Sequence, residues 1–172
     1  MKAVMYGGGN IGRGFIGSLL SQSGYEVTFI DVADPVVKAL QENRTYPVRY
    51  VSTEGYEDVW VQNVTAVNGN DTAAAAEAIA RCDIMATAVG ARILPNIVAG
   101  LRKRWEEGRG PLNIIICENL MDANKVLEGM LKEQLTESER ALFDETVGLV
   151  EASIGRMVPV QTDEMKDGEP MR

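Results

Sequence analysis

The stretch that decides the fold is residues 2–12, KAVMYGGGNIG. Five mostly apolar residues form a predicted strand that runs directly into a glycine-rich turn, and a helical pattern follows the turn. In a dinucleotide-binding turn, Gly7 allows the tight bend, Gly9 lets the backbone approach a pyrophosphate, and Gly12 lets the helix pack against the strand. We therefore assign cofactor contacts to six consecutive residues: Gly7, Gly8, Gly9, Asn10, Ile11 and Gly12.

An acidic residue closes the next predicted strand. Asp31 stands 19 positions after Gly12, close to the spacing at which a carboxylate meets the adenosine ribose in dinucleotide-binding folds. Such a carboxylate accepts hydrogen bonds from the ribose hydroxyls and repels a 2′-phosphate, and no lysine or arginine follows Asp31 until Lys38. The sequence therefore favours NAD over NADP. The alternative is an aspartate that only caps a turn or a helix.

The glycine turn has a purely structural alternative, because glycine-rich turns also join strands to helices that bind nothing. That alternative must account for glycines at positions 12, 14 and 17 of one predicted helix. Each interior glycine costs roughly 1 kcal/mol relative to alanine, so three of them indicate a close approach to a neighbouring backbone. The strand before the turn, the helix after it and the acid at the right distance favour the dinucleotide site.

Composition sets the class of protein and excludes several partners. The 172 residues are 45% hydrophobic and 24% charged, as in one globular domain, and no apolar run approaches the ~20 residues of a membrane span. The net charge of −8 argues against nucleic acid and anionic membranes as partners. Cys82 and Cys117 lie far apart and form no metal-binding pattern, which predicts a reduced, cytoplasmic protein without a metal.

Strand-like and helix-like segments alternate along the chain. After the first strand and a helix over 11–23, the pattern predicts strands at 25–30, 84–89, 112–117 and 147–152, and helices at 34–42, 72–81, 93–106, 121–134 and from 137. The alternation predicts an α/β fold with a Rossmann-type, doubly wound, mostly parallel sheet. Residues 46–51 and 56–67 interrupt it and predict an added antiparallel β-hairpin. Residues 64–67 either return to the sheet or serve as a connector.

Further candidate residues lie where predicted parallel strands end, because a dinucleotide binds across the carboxyl ends of such strands. A side chain at Gly90, which follows Val89, would collide with the nicotinamide ribose, and the amide of Asn119 would polarise a substrate oxygen or bind that ribose. As alternatives, Gly90 is an ordinary turn glycine and Asn119 an ordinary helix cap. Arg13 and Arg156 are expected on the solvated surface.

Four segments are informative as a set: residues 7–17 (GGGNIGRGFIG), 87–90 (TAVG), 112–119 (LNIIICEN) and 156–159 (RMVP). Together they resemble the N-terminal half of the polyol-specific long-chain dehydrogenase/reductase family. The resemblance covers nearly the whole chain in order, and its first and third segments are fairly specific. In that family, the asparagine that matches Asn119 helps to polarise the substrate oxygen, which makes Asn119 the candidate catalytic residue.

The resemblance implies an NAD-dependent, metal-independent hydride transfer between a polyol and a ketose. The substrate pair that it favours is mannitol 1-phosphate and fructose 6-phosphate. Within the family, the alternatives are a hexuronate (fructuronate or tagaturonate) reductase and a mannitol 2-dehydrogenase. An alternative of another class is a non-catalytic NAD-sensing module.

The resemblance also implies a helical C-terminal domain that supplies a catalytic lysine together with an asparagine and a histidine. Residues 1–172 contain no histidine, although dehydrogenases commonly use histidine or lysine for proton transfer. We therefore expect a truncated protein, with an NAD-binding domain over residues 1–160 and a polar tail over residues 161–172 that leads toward the C-terminal domain. Such a chain is expected to be a monomer, to bind NAD and to be inactive alone.

One position departs from the family pattern. The family commonly has an aspartate before the arginine of the fourth segment, whereas Gly155 precedes Arg156 here. If that aspartate supports the active site in the family, its replacement by glycine alters substrate choice or activity.

Overall fold

The computed structural model describes residues 1–7, 12–88, 93–117 and 121–152. In chain order its strands are β1 (Lys2–Tyr6), β2 (Glu26–Asp31), β3 (Thr45–Ser52), β4 (Gly55–Gln62), β5 (Val64–Asn68), β6 (Ile84–Thr87), β7 (Leu112–Ile116) and β8 (Val147–Glu151). A π-helical turn (Gly12–Ile16) continues into α1 (Gly17–Gln22), and the further helices are α2 (Asp34–Asn43), α3 (Thr72–Arg81), α4 (Leu94–Glu106), α5 (Ala123–Glu133) and α6 (Glu137–Thr146).

Six of these strands form one parallel sheet in the order β5-β2-β1-β6-β7-β8. The chain moves outward from β1 to β2 and β5, and then crosses back to β6 on the other side of β1. In doubly wound folds, this reversal opens a crevice at the carboxyl ends of the two central strands, here β1 and β6. The predicted Rossmann-type sheet is confirmed, and residues 64–67 return to it within its edge strand β5.

Helices cover both faces of the sheet, which explains why its central strands are mostly apolar. One face packs against α3, α4 and α5 through a core that includes Ile79, Leu101 and Leu131. The other face packs against α1 and α2 through a second core that includes Leu20 and Leu40. The domain therefore has three layers, with hydrophobic burial on both sides of the sheet as its main stabilising contribution.

The predicted hairpin is confirmed as a separate two-stranded antiparallel sheet of β3 and β4. On one face, Tyr46, Val48 and Val61 are buried in the same core as α1 and α2. On the other face, Arg49 forms an ion pair with Asp58 at 2.8 Å. Pro47 is buried as well, so burial does not strictly alternate along β3. With its buried face the hairpin covers the α1 side of the sheet.

Local sequence signals set two helix starts as predicted. The Asp71 side chain accepts a hydrogen bond from the Ala74 amide at 3.1 Å and begins α3, and Thr136 with Glu139 forms the capping box that begins α6. The pair Asp34-Pro35 predicts Asp34 as the N-cap of α2, but the N-cap is Ala33 and Asp34 is the first helical residue. An acid in the first turn still interacts favourably with the helix dipole.

The apolar spacing of the first helix predicts Leu19 and Leu20 on one buried face. Leu20 is buried, but Leu19 is 42% exposed. The reason is the π-helical turn at Gly12–Ile16, because its i→i+5 hydrogen bonds place more residues in one turn and shift the phase of the residues that follow.

Three findings bear on the classes of protein considered from composition. Among the helices that the structure describes, none has both the length and the apolar character that a bilayer crossing needs. Cys82 and Cys117 are buried and are not joined in a disulfide. Within residues 1–7, 12–88, 93–117 and 121–152, no group of three or more His, Cys, Asp or Glu side chains is placed to hold a metal ion.

Candidate functional site

The carboxyl ends of five strands meet at one edge of the sheet. Beyond the strands, further hydrogen bonds extend the ladder: Gly7 N–H to Ile30 O (2.8 Å), Ala88 N–H to Tyr6 O (3.0 Å), Cys117 N–H to Thr87 O (2.9 Å) and Ala152 N–H to Ile116 O (3.1 Å). The ends of β2, β1, β6, β7 and β8 are therefore aligned to within about one residue, the spacing of a strand ladder. The residues that lead into Val89 and Asn119 thus end at the same edge as Gly7 and Asp31.

Three glycines make the turn at this edge possible. Gly7 has a φ of 117°, which favours glycine over residues with a side chain. A Cβ on Gly12 would overlap the carbonyl oxygen of Gly7, and a Cβ on Gly17 would lie 2.5 Å from Cζ of Phe29 on β2. Gly12 therefore allows the turn to close against Gly7. Gly17 allows the helix to pack closely on β2, a contact that the sequence assigns to Gly12.

Asp31 is held at the end of β2, beside the last residue of β5. Its Oδ1 accepts a hydrogen bond from the Ala33 amide at 2.9 Å, and its carbonyl accepts one from the Gly69 amide at 3.0 Å. The residue is partly exposed. These bonds fix the carboxylate at the carboxyl edge, on the side of β1 away from β6, where the sequence spacing predicts it.

Arg13 differs from the surface residue that the sequence predicts. It is half-buried, and loss of hydration lowers the pKa of its guanidinium, while the neighbouring Tyr46 and Asp31 act in the opposite direction. The Tyr46 hydroxyl donates a hydrogen bond to the Arg13 carbonyl at 2.6 Å. Burial raises the pKa of Tyr46, so its phenol stays protonated and remains a donor.

A second polar contact at this edge lies on the opposite face of the sheet. The Asn96 amide of α4 donates to the Tyr6 hydroxyl at 2.7 Å and to the Gly69 carbonyl at 2.8 Å. Tyr6 and Asn96 are both buried, so this network ties α4 to the carboxyl ends of β1 and β5. The patterns of the sequence do not predict this contact, and the signal that they offer is one asparagine beside the buried Ile97 and Leu101 of α4.

Two buried side-chain atoms near the crevice, Thr87 Oγ1 and Asn124 Oδ1, have no hydrogen-bond partner among the residues that the structure describes. Thr87 is the last residue of β6, and Asn124 is the second residue of α5, which follows β7. Buried polar atoms nearly always have partners. Ordered water or a bound group would supply these partners.

The structure brings together Gly7, Gly12 and Asp31, the three candidate residues that it describes. The other seven candidates lie outside the described residues: Gly8, Gly9, Asn10, Ile11, Val89, Gly90 and Asn119. Gly155 and Arg156 lie outside them as well. The described part of the site therefore consists of Gly7 and Gly12, at the two ends of the turn after β1, and of Asp31 at the carboxyl end of β2.

Comparison with known proteins places this arrangement in a family. The family model described as "Mannitol dehydrogenase Rossmann domain" matches residues 1–171. A mannitol-1-phosphate 5-dehydrogenase of Brevibacillus brevis is 45% identical over 165 residues, which are 94% of this chain and 42% of that protein. An enzyme of the same name from Geobacillus thermodenitrificans is 42% identical over 169 residues, or 95% and 44% of the two chains. The chain thus spans less than half the length of these relatives.

Solved structures show the same fold. D-sorbitol dehydrogenase in a substrate-free form superposes with a TM-score of 0.72 at 12% identity, over 86% of this chain and 41% of that one. Pseudomonas fluorescens mannitol 2-dehydrogenase, in a ternary complex with NAD and D-mannitol, superposes with a TM-score of 0.71 at 12% identity, over 86% and 40%. At this identity, the likeness shows the fold and no more.

Proposed function

The chain belongs to the mannitol dehydrogenase family, whose Rossmann domain it matches over residues 1–171, and from this premise we propose that it is the NAD-binding domain of a mannitol-1-phosphate 5-dehydrogenase. The whole enzyme would interconvert mannitol 1-phosphate and fructose 6-phosphate. Relatives with that name, 38% to 45% identical to this chain, support this activity over a hexuronate reductase or a mannitol 2-dehydrogenase. Membership in a family of dehydrogenases also disfavours the alternative that the chain is a non-catalytic NAD sensor.

The observation that carries the proposal is the glycine turn at the crevice between β1 and β6. Gly7 has a positive φ, and Gly12 has no room for a side chain because the Gly7 carbonyl fills the space. These two features are the tight bend and the close packing that the first and third glycines provide in a dinucleotide-binding turn. The residues present therefore fit a dinucleotide.

Each candidate residue has a proposed role. The six residues Gly7, Gly8, Gly9, Asn10, Ile11 and Gly12 would bind the pyrophosphate through backbone N–H groups. Asp31 would accept hydrogen bonds from the adenosine ribose and so select NAD over NADP. Val89 and Gly90 would border the nicotinamide ribose, and Asn119 would donate a hydrogen bond to the reacting oxygen of the substrate.

The bound cofactor supplies the hydride acceptor or donor for this chemistry. The domain's own part is to bind and orient the cofactor, so that its reactive carbon faces the substrate at the carboxyl edge. Asn119 would stabilise negative charge on the substrate oxygen, and a lysine outside residues 1–172 would carry the proton. Because we place this lysine outside residues 1–172, we expect the chain to bind NAD without turning over mannitol 1-phosphate.

Calorimetric titration of the 172-residue chain with NADH and NADPH tests the cofactor assignment. We expect wild-type protein to bind NADH well above NADPH. Asp31→Asn keeps an oxygen acceptor for the Ala33 amide but removes the charge, and it should reduce the NADH/NADPH affinity ratio about tenfold, the size of a hydrogen bond to a charged group. Asp34→Asn removes a neighbouring charge and should leave the ratio unchanged.

Two results would count against the proposal. Failure of the wild-type chain to bind either cofactor would remove the cofactor assignment. An unchanged affinity ratio in Asp31→Asn would keep the cofactor site but remove Asp31 as its selective residue. A panel of mannitol 1-phosphate, mannitol and hexuronates on a protein with the full length of its relatives tests the substrate, and a requirement for the phosphate supports the proposed activity.

A further inference from the structure

The hairpin holds one tyrosine directly against the start of the first helix. Tyr46 is 1% exposed, and its ring meets the Phe29 ring edge-on, with centroids 5.8 Å apart. Its hydroxyl donates to the Arg13 carbonyl at 2.6 Å. A buried ring packed on β2 gives this hydroxyl a fixed position relative to the sheet, because packed aromatic side chains have few alternative rotamers.

A second bond fixes the hairpin to the far end of the same helix. The Ser21 hydroxyl of α1 donates to the Gln62 carbonyl at the end of β4, also at 2.6 Å. Arg13 and Ser21 are separated by about 12 Å along the helix axis. The hairpin is therefore hydrogen-bonded to the helix near both of its ends. Of these two hydrogen bonds, the one from Tyr46 is next to the glycine turn.

The Tyr46 bond acts on the turn through two residues. Arg13 directly follows Gly12, and Gly12 lies against the Gly7 carbonyl. A carbonyl held at Arg13 therefore limits how far the Gly7–Gly12 contact can open. The same residue carries a half-buried guanidinium near Asp31, so the hairpin, the turn and the ribose-binding candidate form one connected unit.

We propose that Tyr46 is a positioning residue for the cofactor: its hydroxyl holds the Arg13 carbonyl and thereby keeps Gly12 against the Gly7 carbonyl, at the two ends of the turn that would receive the pyrophosphate. The inference rests on the proposed function, because it needs a dinucleotide at the turn. It goes beyond that function by giving the added hairpin, which lies outside the main sheet, a part in cofactor affinity.

The alternative hypothesis, that the Tyr46 hydrogen bond only stabilises the fold, predicts a different result for cofactor affinity. If Tyr46 only stabilises the fold, removal of its hydroxyl lowers the free energy of unfolding and leaves the affinity of the folded protein unchanged. Ser21→Ala is the matched control, because it also removes one hydroxyl-to-carbonyl bond between the hairpin and the helix, but far from the turn. Tyr46→Phe keeps the ring that packs on Phe29, and so it keeps the core filled.

The test is calorimetric titration of wild type, Tyr46→Phe and Ser21→Ala with NADH, NADPH and ADP-ribose, below the temperature at which any of them unfolds. All three ligands carry the pyrophosphate. We expect Tyr46→Phe to weaken each of them about fivefold, the size of one hydrogen bond, without a change in the NADH/NADPH ratio. Ser21→Ala should bind all three like wild type, whatever stability it loses in urea unfolding.

The outcomes separate the two proposals. Wild-type affinity in Tyr46→Phe, or an equal loss in Ser21→Ala, overturns the role of Tyr46 and leaves the cofactor site intact. A change confined to the NADH/NADPH ratio also overturns it, because that result assigns the effect to Asp31. Failure of wild type to bind any of the three ligands overturns the proposed function, and the role of Tyr46 falls with it.

Discussion

Two arginines of this domain are withdrawn from water at opposite edges of the sheet, and they have different partners. Arg104 is 5% exposed and donates to four backbone carbonyls at 2.6–3.0 Å, those of Ala80, Cys82, Gly110 and Pro111. Arg13 lies half-buried beside Tyr46 and Asp31. Loss of hydration lowers the pKa of both guanidinium groups. Arg104, however, is surrounded by backbone carbonyls, whereas Arg13 is next to the side chains of a tyrosine and an aspartate.

At the amino edge, the chain satisfies its own polar groups. Cys82 and Pro111 come shortly before β6 and β7, so Arg104 joins the starts of two central strands to the ends of α3 and α4. At the carboxyl edge, an acid, a phenol and a half-buried cation lie next to a glycine turn, and Thr87 Oγ1 has no partner among the described residues. Under the proposed function, the carboxyl edge receives the cofactor, while the Arg104 contacts at the amino edge join strands to helices.

The largest effect that this comparison predicts is on stability at Arg104. Arg104→Met fills a similar volume but removes the donor from two buried carbonyls, those of Ala80 and Cys82, and from the part-buried carbonyls of Gly110 and Pro111. Each unsatisfied buried group costs about 1–3 kcal/mol. We expect the free energy of unfolding to fall by about 3 kcal/mol or more, measured by urea denaturation. NADH affinity of the folded protein should stay at the wild-type value, because the change is at the edge away from the glycine turn.

Two further variants make this prediction sharper. Lys103→Met removes a cation from the neighbouring position of α4 and should change stability by less than about 0.5 kcal/mol. Arg104→Lys keeps the charge but has no planar fork of donors, and it should lose nearly as much as Arg104→Met. Wild-type stability in Arg104→Lys would show that charge, and not the set of hydrogen bonds, matters at this edge.

The second prediction concerns the glycine turn, where an added methyl group should affect stability and binding together. In Gly12→Ala, the Cβ would overlap the Gly7 carbonyl, and overpacking of this kind costs about 1–3 kcal/mol. The turn must open to relieve the overlap, so we expect NADH affinity to fall at least tenfold, about the same free energy. Calorimetry with NADH and urea unfolding measure the two effects.

Gly100→Ala is the matched control for that experiment. Its Cβ would lie 2.6 Å from two carbon atoms of Ile79, between α3 and α4, so it overpacks the core by one methyl group away from the turn. It should lose stability comparable to Gly12→Ala and bind NADH normally once folded. If both variants bind alike, the carboxyl edge is no more sensitive to packing than the core, and the comparison between the two edges fails.

Much of the fold could be predicted from the sequence because its signals are local. Asp71 and Thr136 mark helix starts through contacts within three residues, and the turn residues 52–55 mark the hairpin. Gly12 and Asp31 were recognised by spacing, which the alternation of strands and helices fixes. The π-helical turn carried no such signal, and so the exposure of Leu19 was not foreseen.

The part of the site that could not be predicted from the sequence, the contact between Tyr46 and Arg13, depends on tertiary packing. Tyr46 and Arg13 are 33 positions apart, and their contact follows from how the hairpin docks on the helix, which no periodicity encodes. Arg13 was expected in solvent for the same reason, because the sequence does not show what covers it. The roles of Val89, Gly90 and Asn119 stay predictions, since these residues lie outside the described ranges.

A third arginine extends the comparison to an exposed ion pair. Arg102, two residues before Arg104 on α4, donates to Glu139 at 2.8 and 3.1 Å. The hydrogen bonds from Arg102 and from the Thr136 backbone lower the pKa of Glu139 to about 2. The Arg102 guanidinium also donates to the Gln134 carbonyl at 3.0 Å, but its charged partner is a carboxylate in reach of water. The contribution of this ion pair should therefore be small and dependent on pH, unlike that of the carbonyls around Arg104.

The smallest predicted effect is therefore the pH dependence of Glu139. Because its folded pKa lies below its ordinary value of 4.5, the contribution is complete above about pH 4.5 and is lost as pH falls toward 2. Glu139→Gln keeps the capping box, which accepts glutamine, and should cost less than about 1 kcal/mol at pH 7. Urea unfolding at pH 7, 4 and 2.5 should show the two proteins converging as the acid protonates, whereas Glu137→Gln, on the same helical turn but outside the capping box, should show a smaller difference at every pH. A gap between wild type and Glu139→Gln that is as large at pH 2.5 as at pH 7 would mean that the side chain acts through packing and not through its charge, and Arg102 would then join Arg104 as a pH-independent contact.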